Sequence, residues 1–305
     1  MTMIGLFYRQ AVHATTGNRG QATTLFVVVS GTLLAAVFAG AALHHYHLGR
    51  QAAADAIDSI ALSAATWEAR GLNLIASLND GATQCMRIIR WTTAIWAVLA
   101  VSAAFGAGVP GFVAYTRQAR RIVSGYWDTA HLLVSWSMKI RNAVPYLVLA
   151  ETASLARKRN ITGVLYPWNP RGPHDGKDTL ELHVSPGPPV HLVEAMAPIT
   201  AALARLKKVR ILKKAAKTVV SALDAAIREI VGNTKGPIRM LGPDTDFGER
   251  QRVRFTGYLS RAALPVPILG ESGVRRFPSI AEAEPYGGKP SEATWKSRLT
   301  ERRAP

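Results

Sequence analysis

Residues able to do chemistry are scattered along this chain, with no known catalytic motif joining them. His44, His45 and His47 follow an uncharged apolar run, and His44 and His47 stand three apart, on one helical face. Two imidazoles at that spacing hold a metal only when a third or fourth ligand joins them, and the sequence places none. They read as interfacial polar residues. His174, Asp175, Glu181, His183, His191 and Glu194 crowd a second stretch. That stretch has no His-Glu-x-x-His, no Gly-x-Ser-x-Gly and no phosphate-cradling loop. A membrane-tethered hydrolase using His183, His191 and Glu194 is kept as a competing reading, and no catalytic, cofactor-binding or metal residue is assigned. Cys85 is the single cysteine, which excludes an intramolecular disulfide and a thiolate metal cage built from this chain. The densest basic cluster is Lys207, Lys208, Arg210, Lys213, Lys214 and Lys217. It could meet anionic lipid, nucleic acid or an acidic protein. No aromatic residue interleaves it, which argues against stacking on single-stranded nucleic acid.

The elements that must position these groups begin with residues 23–43, an apolar run without a charge and long enough to cross a hydrocarbon core of about 30 Å. Arg9 and Arg19, with no acid beside them, place residues 1–22 as a cytoplasmic tail by the positive-inside bias. Within the run, Gly31, Ala35, Ala39 and Gly40 offer a small-residue face on which another helix, including that of a second copy, could pack. The helical pattern continues over 44–80 as an amphipathic extension, with Ile57, Ile60, Ala61, Ala64, Leu72, Ile75 and Leu78 as its stripe. Asn79-Asp80-Gly81 reads as its end.

Residues 91–115 form a second uncharged apolar segment, spanning or buried, whose later half is crowded by Gly106, Gly108, Pro110 and Gly111. Arg117, Arg120 and Arg121 just after it would suit a two-span hairpin with a basic cytoplasmic domain that binds nucleic acid or anionic lipid. Residues 117–160 read as helix, kinked or broken at Pro145 and closed by Arg157-Lys158-Arg159-Asn160. Residues 161–191 turn to short strands and turns, with 164–167 and 179–184 as strands. Residues 192–232 read as a basic amphipathic helix. Residues 233–305 are turn-rich, with strands at 252–259 and 279–286, a loop over 265–278, and Trp295 docked on the domain body. The fold expected is α+β: a transmembrane helix continuing into a long amphipathic helix, then a helix-rich mixed domain with a few strands. The chain's net charge of +17 falls almost wholly beyond residue 116.

Several stretches together resemble a known family. Arg19-Gly20-Gln21 precedes the apolar run, Asp55-Ala56 and Ala61 follow it, and then comes Glu68-Ala69-Arg70-Gly71-Leu72-Asn73. Near the end stand Ala283-Glu284-x-Tyr286 and Trp295-x-x-Arg298-Leu299. This pattern is similar to the TadE/TadG-like pseudopilin proteins of bacterial tight-adherence (Flp) pilus systems, in their longer TadG-like form. The resemblance implies a non-catalytic protein of the bacterial inner membrane. Its N-terminus would be cytoplasmic and its C-terminal bulk periplasmic, acting in assembly or anchoring beside other pilus or secretion-system membrane proteins. Leu25 stands where processed prepilins carry Glu, so the resemblance implies a retained anchor.

Overall fold

The computed structural model describes residues 18–167, 180–208, 214–244, 247–262 and 274–300. One helix organises them. Helix α1 (Asn18–Ala104) has 87 residues and, at 1.5 Å per residue, a length of about 130 Å. Its first part, within residues 22–40, is almost entirely exposed and carries the one stretch long and apolar enough to cross a membrane among the described residues.

The helix does not end near Asp80. Asn79 points inward and its Nδ2 donates to the carbonyls of Leu241 (2.7 Å) and Pro290 (2.8 Å), so the amide nitrogen is engaged by distant chain instead of local backbone. Gly81 lies against Leu133, where a Cβ would stand 3.2 Å from the leucine side chain. A turn-forming triplet is thus held in helix by what packs on it.

Residues 91–115 are not one spanning helix. They comprise the end of α1, a turn through Gly106 (φ 91°) and Gly108 (φ 77°), and the start of α2 (Val109–Lys158). Both glycines occupy the left-handed region that other residues rarely adopt. Across the turn, Trp96 Nε1 donates to Thr116 Oγ1 at 3.0 Å, both buried. Helix α2 returns antiparallel along α1, with Leu133 opposite Gly81 and Val144 opposite Gly71. It stays helical through Pro145, which is buried, and stops where Asn160 takes φ 54°, the left-handed cap its type allows.

After α2 come β1 (Ile161–Tyr166), β2 (Val184–Pro186), α3 (Leu192–Ala195), α4 (Ala197–Lys208), α5 (Lys214–Asn233), β3 (Leu241–Pro243), α6 (Phe247–Arg250), β4 (Val253–Ala262), β5 (Val274–Tyr286) and β6 (Lys296–Leu299). The expected strand over 179–184 is corrected: Leu180 and Leu182 are buried in irregular chain, and only Val184 enters a strand. The expected single helix over 192–232 is α3, α4 and α5. The expected loop over 265–278 is already strand from Val274, within β5, and its earlier part lies outside the described residues.

Strands β1-β4-β5-β6 form one antiparallel sheet. Alternation decides which face is buried: Val253, Phe255 and Leu259 of β4 point inward while Arg254 and Thr256 point out. Two hydrophobic cores share the long hairpin. The proximal one, after the apolar run, packs the sheet on Ile57, Ile60, Ala61, Ala64, Leu72 and Val148. The distal one packs α3, α4 and α5 on Ile89, Trp96, Phe112 and Trp127 near the turn.

Candidate interaction surfaces

The two motif-bearing segments, far apart in sequence, meet on the proximal half of α1. Asn73 exchanges two hydrogen bonds with the backbone of Trp295: Asn73 Nδ2 donates to the carbonyl (3.0 Å), and the Trp295 amide donates to Asn73 Oδ1 (2.8 Å). Both bonds are those a neighbouring β-strand would supply, so one helical side chain holds the chain entering β6. About two turns earlier, Thr66 Oγ1 lies 2.8 Å from Ser297 Oγ. The Trp295 ring packs against Phe247, centroids 5.0 Å apart, as the expected docking requires.

Every member of Glu68-Ala69-Arg70-Gly71-Leu72-Asn73 has a task in this arrangement. Ala69 and Leu72 fill the buried side, and Arg70 lies over Trp67 at 4.9 Å. Gly71 admits Val144, whose methyl carbon would stand 2.5 Å from any added Cβ. Glu68 is 3% exposed, and its Oε2 has no partner. Burial pushes its carboxyl up to about 8, against a smaller opposing effect of the Gln251 side chain. Gln251 also accepts from the His183 amide at 2.8 Å.

Across the sheet, Glu284 is buried and receives Arg252 Nε (2.8 Å) and Arg298 Nη2 (2.7 Å). Desolvation alone would raise its pKa; the two guanidinium hydrogen bonds outweigh it and hold the carboxyl below the usual range. Arg298 also covers the Tyr286 ring at 5.0 Å. Registers Ala283↔Leu299 and Glu284↔Arg298 make these residues one cross-strand cluster.

His44, His45 and His47 lie where the apolar run gives way to the packed body. His45 Nε2 is 3.4 Å from the Ala262 carbonyl, and Tyr46 faces Phe277 at 5.7 Å. The Phe277 ring would stand 2.5 Å from a Cβ on Gly49, so the β4–β5 ribbon presses on α1 there. No group of three or more His, Cys, Asp or Glu able to hold a metal exists among the described residues.

His191 and Glu194 form a capping box at the start of α3, with the His191 amide donating to Glu194 Oε2 at 3.4 Å. His183 sits elsewhere, held neutral chiefly by burial and beside Glu181 and Asp244. Of the three residues of the hydrolase reading, His191 and Glu194 thus share a helix cap that His183 does not join. His174 and Asp175 lie outside the described residues.

On the apolar run, Gly31, Ala35 and Ala39 rise along one side with open space before them, but Gly40 lies half a helical turn from Gly31. Gly31, Ala35 and Ala39 thus share a side that Gly40 does not. The basic cluster divides as well. Lys207 reaches Asp224 at 3.2 Å, Lys208, Lys214 and Lys217 are exposed, and Arg210 and Lys213 lie outside the described residues. Sequence reasoning missed the roles of Asn79, Gln251 and Glu284, whose partners come from segments remote in the chain.

No known protein family, curated protein or solved structure matches the chain.

Proposed function

We propose that this protein is a membrane-anchored, non-catalytic, TadG-like component of a tight-adherence (Flp) pilus or related secretion apparatus. Residues 23–43 are its retained inner-membrane anchor, and the body formed by the rest of the hairpin and the sheet stands in the periplasm. The reading is supported above all by the meeting of Asn73 with Trp295, which joins the two segments that carry the resemblance. A pattern shared with a family is better explained by one packed arrangement than by two unrelated coincidences. A rod about 130 Å long, with only one stretch suited to crossing a membrane among the described residues, also fits a scaffold that reaches away from a bilayer.

Copies would associate through Gly31, Ala35 and Ala39, where small side chains let helices approach closely in lipid. Other pilus or secretion-system membrane proteins would meet the periplasmic body. Deleting the gene is expected to abolish surface pili and tight adhesion, with rescue by the full chain and none by a chain lacking residues 18–43. Normal piliation in the deletion strain would overturn the proposal.

A further inference from the structure

The last turns of α1, with Phe105 just after its end, carry an apolar stripe that none of the described residues covers: Ile88, Trp91, Ile95, Val98 and Phe105, of which Trp91 is 67%, Val98 66% and Phe105 73% exposed. Their spacing of three, four, three and seven keeps them on one side of the helix. The opposite side, with Trp96, Ala100 and Ala103, is the distal core, so the exposed stripe is additional to what folding needs.

Charge around the stripe has one sign. Between Asp80 and Asp128 the sequence has no acid, and it has Arg87, Arg90, Arg117, Arg120 and Arg121. Among the described residues, Arg120 alone of these is paired across the fold to an acid, Glu229.

We infer that this far end of the hairpin docks on the surface of an anionic lipid bilayer, through Trp91, Ile95, Val98 and Phe105 with exposed Arg87 and Arg90 beside them. An occupant must offer apolar depth and negative charge at once. A bilayer with anionic headgroups offers both, and aromatic side chains settle at its interface. A second copy held parallel by the same anchor would set Arg87 and Arg90 against their equivalents, where like charges repel. On the anchor reading above, Trp91 stands about 70 Å of straight helix beyond Leu43, so the bilayer touched is a different one from that holding residues 23–43. The protein would then tether two membranes.

The test uses the full chain held in a nanodisc of neutral phosphatidylcholine. It is mixed with separate vesicles of phosphatidylcholine alone or of equal phosphatidylcholine and phosphatidylglycerol, then floated across a sodium chloride series. Retention by the anionic vesicles only, falling with salt, is expected. Trp91→Ser with Phe105→Ser should lower it about tenfold or more, and Arg87→Gln with Arg90→Gln several-fold. All four positions are exposed, and circular dichroism checks that the helices persist. Brominated lipid in the second vesicle should quench wild-type fluorescence more than that of Trp91→Phe. Equal retention by neutral vesicles, retention unchanged by the substitutions, or absence of quenching would overturn the inference. So would efficient cross-linking of two copies through Ile95→Cys, in a Cys85→Ser background, without vesicles. None of these outcomes bears on pilus assembly, which the deletion phenotype tests separately.

Discussion

Asn73 and Trp295, separated by 222 positions, are joined by two hydrogen bonds that make a helical side chain the partner of a strand's backbone. The closing segment of the chain is thereby fastened to the helix that begins it. Without Asn73, β6 keeps its pairing with β5 and the contact of Ser297 with Thr66 but loses two of its hydrogen bonds to α1. Asn73→Ala is expected to cost about 1–3 kcal/mol. It should raise hydrogen exchange selectively over residues 289–300, read by mass spectrometry, while exchange in the distal core stays unchanged.

Glycines on the two helices should respond oppositely to the same substitution. At Gly71 an added methyl collides with buried Val144, and Gly71→Ala is expected to destabilise the hairpin by about 1–3 kcal/mol. At Gly125, an exposed helical position with open space around it, Gly125→Ala should stabilise by about 0.5–1 kcal/mol. Denaturant midpoints of the two variants against wild type check both signs.

Two buried carboxyls give stability a peaked pH dependence. Glu284 is held below its ordinary 4.5, so its contribution is present above that value and lost as pH falls through the lower folded value. Glu68 is raised from 4.5 to about 8, so the fold binds its proton more tightly than the unfolded chain. Stability from this group is full below about 4.5 and declines as pH rises toward about 8. Thermal unfolding of the wild type should therefore be most resistant near pH 5. Glu68→Gln should flatten the alkaline limb, and Glu284→Gln the acid one.

Helix association in lipid should depend on Gly31. Gly31→Leu, which fills the close-approach face beside Ala35 and Ala39, is expected to weaken self-association of the full chain in bilayers by about tenfold or less. Gly40→Leu, half a turn away, should have little effect. Energy transfer between labelled copies reads both.

Much of this was legible in the sequence wherever the deciding interactions are local. The apolar run announces itself by length alone, Asn160 by the left-handed cap that follows a basic last turn, and β4 by the alternation of Val253, Phe255 and Leu259. What could not be read depends on partners far along the chain. Asn79 and Gly81 signal a break to any local reading, yet the carbonyls of Leu241 and Pro290 and the side chain of Leu133 keep them helical. Strand β6 is short and polar, and its place beside β5 is set by Glu284, Arg298 and the grip of Asn73. The apolar residues of 91–115 count toward a membrane span by composition, but half of them face the distal core, which only the α1–α2 turn reveals.

The central claim is that one anchor holds the body outside the cytoplasm. Alkaline phosphatase and a fluorescent protein that matures only in the cytoplasm, each fused after Pro305 and expressed in the parent bacterium, test it most directly. The account predicts an active phosphatase and a dark fluorescent protein. Bright fluorescence with an inactive phosphatase would contradict it and return the basic domain to the cytoplasm.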